Sequence, residues 1–327
     1  MTLEVERYLV TGANGFIGTA LSRRLEREGA VVHRLVRRST TAGDIVADLG
    51  RDPLPSLLDL HLTGVFHLAG RVHEVDDGPE AESEHQRSTV AGTRDLIAAA
   101  IASQVPVFIY FSTCAILGEG SSRNLDETSP PRPGNAYARA KLIAERLVLD
   151  ANGVAGMRTS CLRLPLVYGV GHKGNLPRMI DAIEGGWFPP MPEFGNRRSL
   201  VHVDDVVEAA LQVARAPVTA GQTYIVDEPR SYSSREIYEI LAAALGRRTP
   251  DWRVPKVALR GLAVVGDGAY RLTGRRLGFD STRLTKLSET AIYSAEKLHR
   301  DIGFTTSKEF ATSAAELGKS SSRKEST

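Results

Sequence analysis

Cysteine is scarce in this sequence. Two residues, Cys114 and Cys161, occur in 327. They form neither a CxxC nor a ligand cluster, so a disulfide framework or a metal site is not expected. A reducing compartment, the cytoplasm, is the simplest expectation. An excess of one charge is missing too: 41 Lys and Arg stand against 39 Asp and Glu, a net charge of +2. That balance gives no reason to expect nucleic acid or a membrane as partner. No apolar run reaches the roughly 18 residues a membrane helix needs. The opening Met1–Arg7 lacks the apolar core of a secretion signal. There is no internal repeat. The closing stretch 318–327 has almost nothing apolar to bury and is expected to be disordered. What remains is ordinary globular composition, 42% hydrophobic, in a chain long enough to bury a core unaided.

Short apolar runs alternate with longer amphipathic stretches through the first half. Tyr8–Val10, Val31–Val36, Asp44–Ala47, Gly64–Leu68, Val107–Phe111 and Thr159–Leu164 read as strands. Phe16–Glu28, a stretch of about 20 residues ending near Ser103 and Tyr137–Leu149 read as helices. This alternation predicts a parallel sheet covered on both faces. After Pro165 glycine and proline become dense, which marks substrate-binding loops around one short helix, Leu176–Glu184. A helix Val203–Arg215 and a strand Thr223–Val226 return to the sheet, and helical patterns dominate from Ser234.

The first strand runs into Thr11-Gly12-Ala13-Asn14-Gly15-Phe16-Ile17-Gly18. Gly12 permits the tight turn, Gly15 admits a pyrophosphate to the backbone, and Gly18 lets helix pack on sheet. A helix N-terminus there favours an anion through its unpaired N–H groups and its dipole. Tyr137-Ala138-Arg139-Ala140-Lys141 is a YxxxK. On a helix it puts phenol and ammonium on one face. A free Tyr is a poor base at neutral pH, and a neighbouring Lys⁺ would favour its phenolate. A second YxxxK, Tyr293 to Lys297, lies far past the sheet with no hydroxyl-ended strand before it. It is expected to be structural.

The GxxGxxG spacing and the YxxxK together resemble the extended short-chain dehydrogenases/reductases, the NAD-dependent epimerase/dehydratase family. The likeness is to its nucleotide-sugar 4-epimerases and 4-ketoreductases, and it runs from Tyr8 to about Leu317. The resemblance implies a Rossmann doubly wound parallel sheet of class α/β with a smaller C-terminal substrate-binding lobe. The dinucleotide domain would span 1–169, with a return segment at about 197–227. The lobe would comprise 170–196 and 228–317. The turn Gly12, Asn14, Gly15, Phe16, Ile17 and Gly18 would hold the cofactor pyrophosphate. Val36 stands where NAD-preferring relatives carry an acid, and Arg37 and Arg38 follow at once. A guanidinium there suits a 2′-phosphate, so NADP is expected, with NAD as the alternative. Asp48 and Leu49 match the family's adenine contact. Leu68, Ala69 and Gly70 match the turn that lines the cofactor.

The same resemblance makes Thr113, Tyr137 and Lys141 the catalytic set, with Lys141 also on the nicotinamide ribose and Ser112 and Cys114 beside the substrate. Related 4,6-dehydratases carry an Asp-Glu pair after the Thr; Cys114-Ala115 stand here, so that elimination is not expected. Leu164, Leu166, Val167 and Tyr168 match RPxxVYG beside cofactor and substrate, and Lys173 and Asn175 match the sugar-nucleotide loop. Arg198 matches the arginine that holds the substrate diphosphate. Thr89 replaces the Asn of the family's NVxGT. The implied reaction is hydride transfer at C4 of a nucleoside-diphosphate sugar, by a homodimer joined through helices that include the catalytic one. Two other functions fit the Rossmann half: an NADPH-dependent reductase of a hydrophobic ketone or alcohol, and a non-catalytic NADP-binding sensor or scaffold.

Overall fold

The computed structural model describes residues 5–71, 78–118, 120–121, 123–172, 174–273 and 279–322. The chain opens β1 (Arg7–Thr11), α1 (Phe16–Arg27), β2 (Val31–Val36), β3 (Ile45–Val46) and β4 (Gly64–His67). It continues α2 (Pro79–His85), α3 (Gly92–Ala102), β5 (Val107–Thr113), α4 (Ala136–Asp150) and β6 (Arg158–Leu164). Short β7 (Leu166–Tyr168), α5 (Asn175–Glu184) and β8 (Leu200–His202) precede α6 (Val203–Arg215) and β9 (Gln222–Ile225). The remainder is helical: α7 (Ser234–Ala244), α8 (Lys256–Thr273), α9 (Ser281–Ser288), α10 (Glu296–Ile302) and α11 (Phe310–Ser322).

Seven strands form one parallel sheet in the order β3-β2-β1-β4-β5-β6-β9, and β7 pairs with β8 outside it. The order of strand addition reverses between β1 and β4, which opens a crevice at the carboxyl ends of those strands. Alternate residues of each strand feed opposite faces. Tyr8, Val10, Ile109 and Phe111 pack with α1 and α6 through Leu21, Leu25, Val206 and Leu211. Leu9, Phe108 and Tyr110 pack with α3 and α4 through Leu96, Ala100, Ala144 and Val148. A third core, with Tyr168, Ile180, Tyr232, Leu241 and Phe310, belongs to the C-terminal part.

Two elements depart from expectation. The single helix expected before Ser103 is α2 and α3 joined by a π-helical stretch, Gln86–Ala91. The wider turn brings main chain against the Asp48–Gly50 turn: a Cβ on Gly50 would lie 2.2 Å from the Arg87 carbonyl oxygen. Hydrophobic spacing carries no signal for one inserted residue. At the other end α11 continues to Ser322, past position 318, because Phe310, Ala314 and Leu317 anchor its first turns in the third core. Residues 323–327 lie outside the described residues.

Beneath the sheet's carboxyl end, Arg163 of β6 and Glu145 of α4 form a buried two-point ion pair, Nη2–Oε1 2.5 Å and Nε–Oε2 3.2 Å. Removing one partner strands the other charge away from water. Arg163→Met is therefore expected to cost about 3–5 kcal/mol, read as a lower denaturation midpoint. A midpoint equal to the wild type's would mean that water reaches Glu145.

Candidate active site

The turn after β1 is built for close approach. Gly12 takes φ +67°, and a Cβ there would lie 2.9 Å from the Ala69 amide. A Cβ on Gly18 would lie 2.3 Å from the Gly12 carbonyl oxygen. Gly15 is the N-cap of α1 and supplies no side-chain cap, so the first N–H groups of the helix are left for a ligand. A cleft of about 1000 Å³ opens over this turn, lined by Gly12, Asn14, Gly15, Leu68, Ala69 and Gly70 among others. Phe16 and Ile17 begin α1 half-buried, and the Phe16 ring meets the His172 ring edge-on at 5.2 Å. The glycine turn thereby touches the loop before α5.

His67 fixes the opposite wall. Its ring nitrogens meet Thr11 Oγ1 at 2.7 Å and Thr93 Oγ1 at 2.9 Å, and the Ala69 amide donates to Thr11 Oγ1 at 3.0 Å. Burial lowers the imidazole to about 3, so it is a neutral strut joining β1, β4 and α3.

At the adenosine end Val36 is buried, whereas Arg37 and Arg38 are exposed and line the cleft. Asn14 organises this rim. It donates to the Arg38 carbonyl at 3.1 Å and accepts from Arg34 at 2.5 Å and from Thr40 at 3.0 Å. Asp48 also lines the cleft, paired with Arg51 at 3.6 Å and Arg87 at 3.9 Å, and Leu49 is buried beside it.

The YxxxK lies on α4, whose N-terminus is capped by Asn135 accepting from the Ala138 amide at 2.9 Å. Tyr137 is half-buried and hydrogen-bonded through its side chain to Thr113, the last residue of β5. Burial raises the phenol above its ordinary value, and the bond to Thr113 opposes this only in part. Lys141 is buried. Its Nζ donates to the Phe111 carbonyl at 2.8 Å and lies 4.6 Å above the Tyr110 ring. Burial lowers the ammonium to about 8, while Cys161 and Glu145 pull it up. Lys141 is hydrogen-bonded to the Phe111 carbonyl, and Thr113 is the group whose bond lowers the Tyr137 phenol. A Cβ on Gly70 would lie 3.5 Å from Lys141 Nζ and 3.8 Å from Thr89 Oγ1. Thr89 Oγ1 and Ser112 Oγ are buried without a hydrogen-bond partner. Free space over the glycine turn, bare α1 amides and unpartnered hydroxyls near the YxxxK fit a bound dinucleotide.

The second YxxxK spans an element boundary. Tyr293 precedes α10, and Lys297 within it reaches Gln222 Oε1 at 2.8 Å and the Thr223 carbonyl at 3.0 Å on the sheet edge.

The substrate end is less faithful to the sequence. Leu164 closes β6 in register with Thr113; Leu166 is half-buried and Val167 buried in β7. Two expected substrate contacts are corrected. Cys114 Sγ is buried and donates to the Arg163 carbonyl at 3.5 Å, and burial keeps the thiol protonated. Tyr168 is fully buried against His202 and Phe310 with its hydroxyl on Glu228 at 3.5 Å. Each faces a core because neighbouring rings or main chain take it first. Arg198 gives its guanidinium to the carbonyls of Lys286 at 2.5 Å and Glu289 at 3.3 Å. Lys173 lies outside the described residues. Asn175 opens α5, and its side chain is outside them too.

The NAD dependent epimerase/dehydratase family matches residues 8–227, more than half of the chain. The chain belongs to this family. A UDP-glucose 4-epimerase of Vibrio cholerae is 30% identical to it over 83% of this chain and 82% of that one. A 4-hydroxy-2-methyl-3-oxo-4-farnesyl-3,4-dihydroquinoline-1-oxide ketoreductase of Stigmatella aurantiaca is 28% identical over 91% of both. The solved structure of MoeE5 with UDP-glucuronic acid and NAD shares the fold, with a TM-score of 0.73 at 24% identity over 97% of this chain and 99% of that one. The family's epimerase/dehydratase chemistry is NAD-dependent, and this member has the Rossmann sheet that goes with it. Sequence reasoning missed the Glu145–Arg163 pair, which left no signal. It named His67 in the cofactor-lining turn and Thr89 in place of Asn, but not the strut that the one forms or the unpartnered hydroxyl of the other.

Proposed function

We propose that the protein transfers hydride at C4 of a nucleoside-diphosphate sugar, foremost as a reductase of the 4-keto sugar and otherwise as a 4-epimerase. One observation carries this: Tyr137 is hydrogen-bonded to Thr113 at the end of β5, on the helix from which Lys141 reaches the Gly70 turn of the cleft, and burial raises the phenol above its ordinary value. A protonated phenol suits the reducing direction, where the carbonyl oxygen gains negative charge and needs an acid. The nicotinamide, when bound, supplies the hydride. Thr113 orients the carbonyl oxygen, Tyr137 gives it a proton, and Lys141 at Gly70 holds the ribose side. Dimerisation through α4, where Ile143 is exposed, belongs to the same proposal.

A second substrate class, a hydrophobic ketone, has support of its own. The Stigmatella relative is named for one, and Arg198, the expected diphosphate contact, is engaged by main-chain carbonyls. Turnover separates the two. The purified protein is given reduced cofactor with a UDP-4-keto sugar or with a prenylated aromatic ketone. Oxidation of the cofactor by the sugar alone supports the first reading; oxidation by the ketone alone replaces it.

NADP is the proposed cofactor, with NAD the alternative that the family's name carries. The preference rests on Arg37 and Arg38 in the cleft with no acid at the end of β2. A charge-assisted bond to a 2′-phosphate is worth about 1.5–3 kcal/mol. Arg37→Ala with Arg38→Ala should therefore weaken NADPH by roughly 10- to 100-fold and leave NADH unchanged, by fluorescence titration. Equal affinity of the wild type for the two, or acid-released NAD at one per chain, would make the arginines a surface pair.

A further inference from the structure

The C-terminal part presents a second feature, outside the cofactor cleft. α8 is fixed by its inner face. Leu259 and Ala263 are buried, Ser281 donates its amide to Asp267 at 3.1 Å, and Gly266 sits too close to the Phe279 carbonyl to admit a Cβ. Its outer face is set by that packing. Val257, Gly261, Val264, Val265 and Gly268 recur there at helical spacing, with Ala258 and Leu262 beside them. No polar side chain interrupts that stripe. Val257, Leu262, Val264 and Val265 are 53–76% exposed. Scattered apolar residues on a surface are normal, but a continuous helical face of them is a contact site.

Two further observations identify the contact. The chain's two tryptophans, Trp187 and Trp252, are 71% and 62% exposed. Their segments are joined beside the start of α8, where the Val254 amide donates to the Pro190 carbonyl at 3.1 Å. Residues 247–260 hold Arg247, Arg248, Arg253, Lys256 and Arg260 against a single acid, Asp251. The near-neutral total of the whole chain hides this local excess. An apolar helix face, cations at its border and exposed indoles are the parts of an interfacial helix: the face enters the acyl boundary, the cations meet lipid phosphates, and the indoles sit at headgroup level.

We propose that α8, with Trp187 and Trp252, rests on an anionic phospholipid surface. Among the described residues no helix is long and apolar enough to cross a membrane; the association is with the surface only.

The two tryptophans are built-in reporters. The full chain is mixed with vesicles of phosphatidylcholine containing phosphatidylglycerol, or of phosphatidylcholine alone. Co-sedimentation with the first, together with a shift of tryptophan emission to shorter wavelength, is expected. Val264→Asp with Val265→Asp should abolish both while nucleotide binding persists. Lys256→Glu with Arg260→Glu gives up only the contact of Lys256 over the Phe194 ring, 5.9 Å, and keeps the apolar face, yet should weaken binding to the anionic vesicles at least roughly tenfold. Absence of wild-type binding overturns the proposal. So does binding that the charge reversal leaves intact. A concentration-dependent dimer that Val264→Asp breaks, without vesicle binding, assigns the face to a second copy instead.

Discussion

Tyr137→Phe is expected to remove turnover and to leave cofactor binding unchanged. The substitution deletes one oxygen. The ring keeps its place on α4, where it packs 5.9 Å from the His85 ring, and the capping of the helix by Asn135 is untouched. What disappears is the hydrogen bond to Thr113 and the proton that the carbonyl oxygen would receive. General acid catalysis is worth roughly 10²–10⁴-fold, so kcat should fall by that order, followed by nicotinamide absorbance. The Kd for the reduced cofactor, measured by fluorescence, should not move. A variant that turns over like the wild type would take Tyr137 out of the chemistry. One that loses the cofactor as well would mean that the phenol holds the cofactor rather than the substrate oxygen. The pH dependence follows from the raised phenol: reduction, which uses the protonated form, should persist to alkaline pH, whereas oxidation of the product alcohol should rise with pH.

The fold was legible because it is written in local patterns. Val31–Val36 and Val203–Arg215 were placed to the residue, since a short β-branched run and an amphipathic helix each leave a local trace. The glycine turn and the Tyr137–Lys141 spacing were legible for a related reason. Each encodes a steric or helical constraint that operates within a few residues. The substrate end was not. Cys114, Tyr168 and Arg198 sit at positions where relatives place contacts, but their side chains here end on Arg163, Glu228 and the Lys286 and Glu289 carbonyls. Those partners lie 49 to 91 positions away along the chain, and no local pattern announces them. The partner of the Lys141 ammonium was hidden for the same reason. The spacing shows that Lys141 shares its face, but not that the Phe111 carbonyl on the neighbouring strand claims the ammonium.

That claim on Lys141 has a consequence for stability. Burial lowers the ammonium from 10.5 to about 8, a shift on the order of 3 kcal/mol against the charged form. Between those two values the unfolded chain binds more protons than the folded one, so stability rises with pH through that window. Below pH 8 both states carry the proton and the full cost of the buried charge is present. Lys141→Met keeps the length and packing of the side chain and removes the charge. At pH 7 the variant without cofactor should be more stable than the wild type by about 1–3 kcal/mol, the lower end allowing for the donor lost by the Phe111 carbonyl. The gap should close as the pH is raised from 8 to 10.5. In the same variant turnover should fall by roughly 10²-fold or more, because the group that faces the Gly70 turn has gone. A more stable, inactive variant would show that the ammonium is kept at a cost to folding because the chemistry needs it, as site residues often are. A variant less stable than the wild type at pH 7 would show that the bond to Phe111 outweighs the burial, and Lys141 would then be a structural residue first.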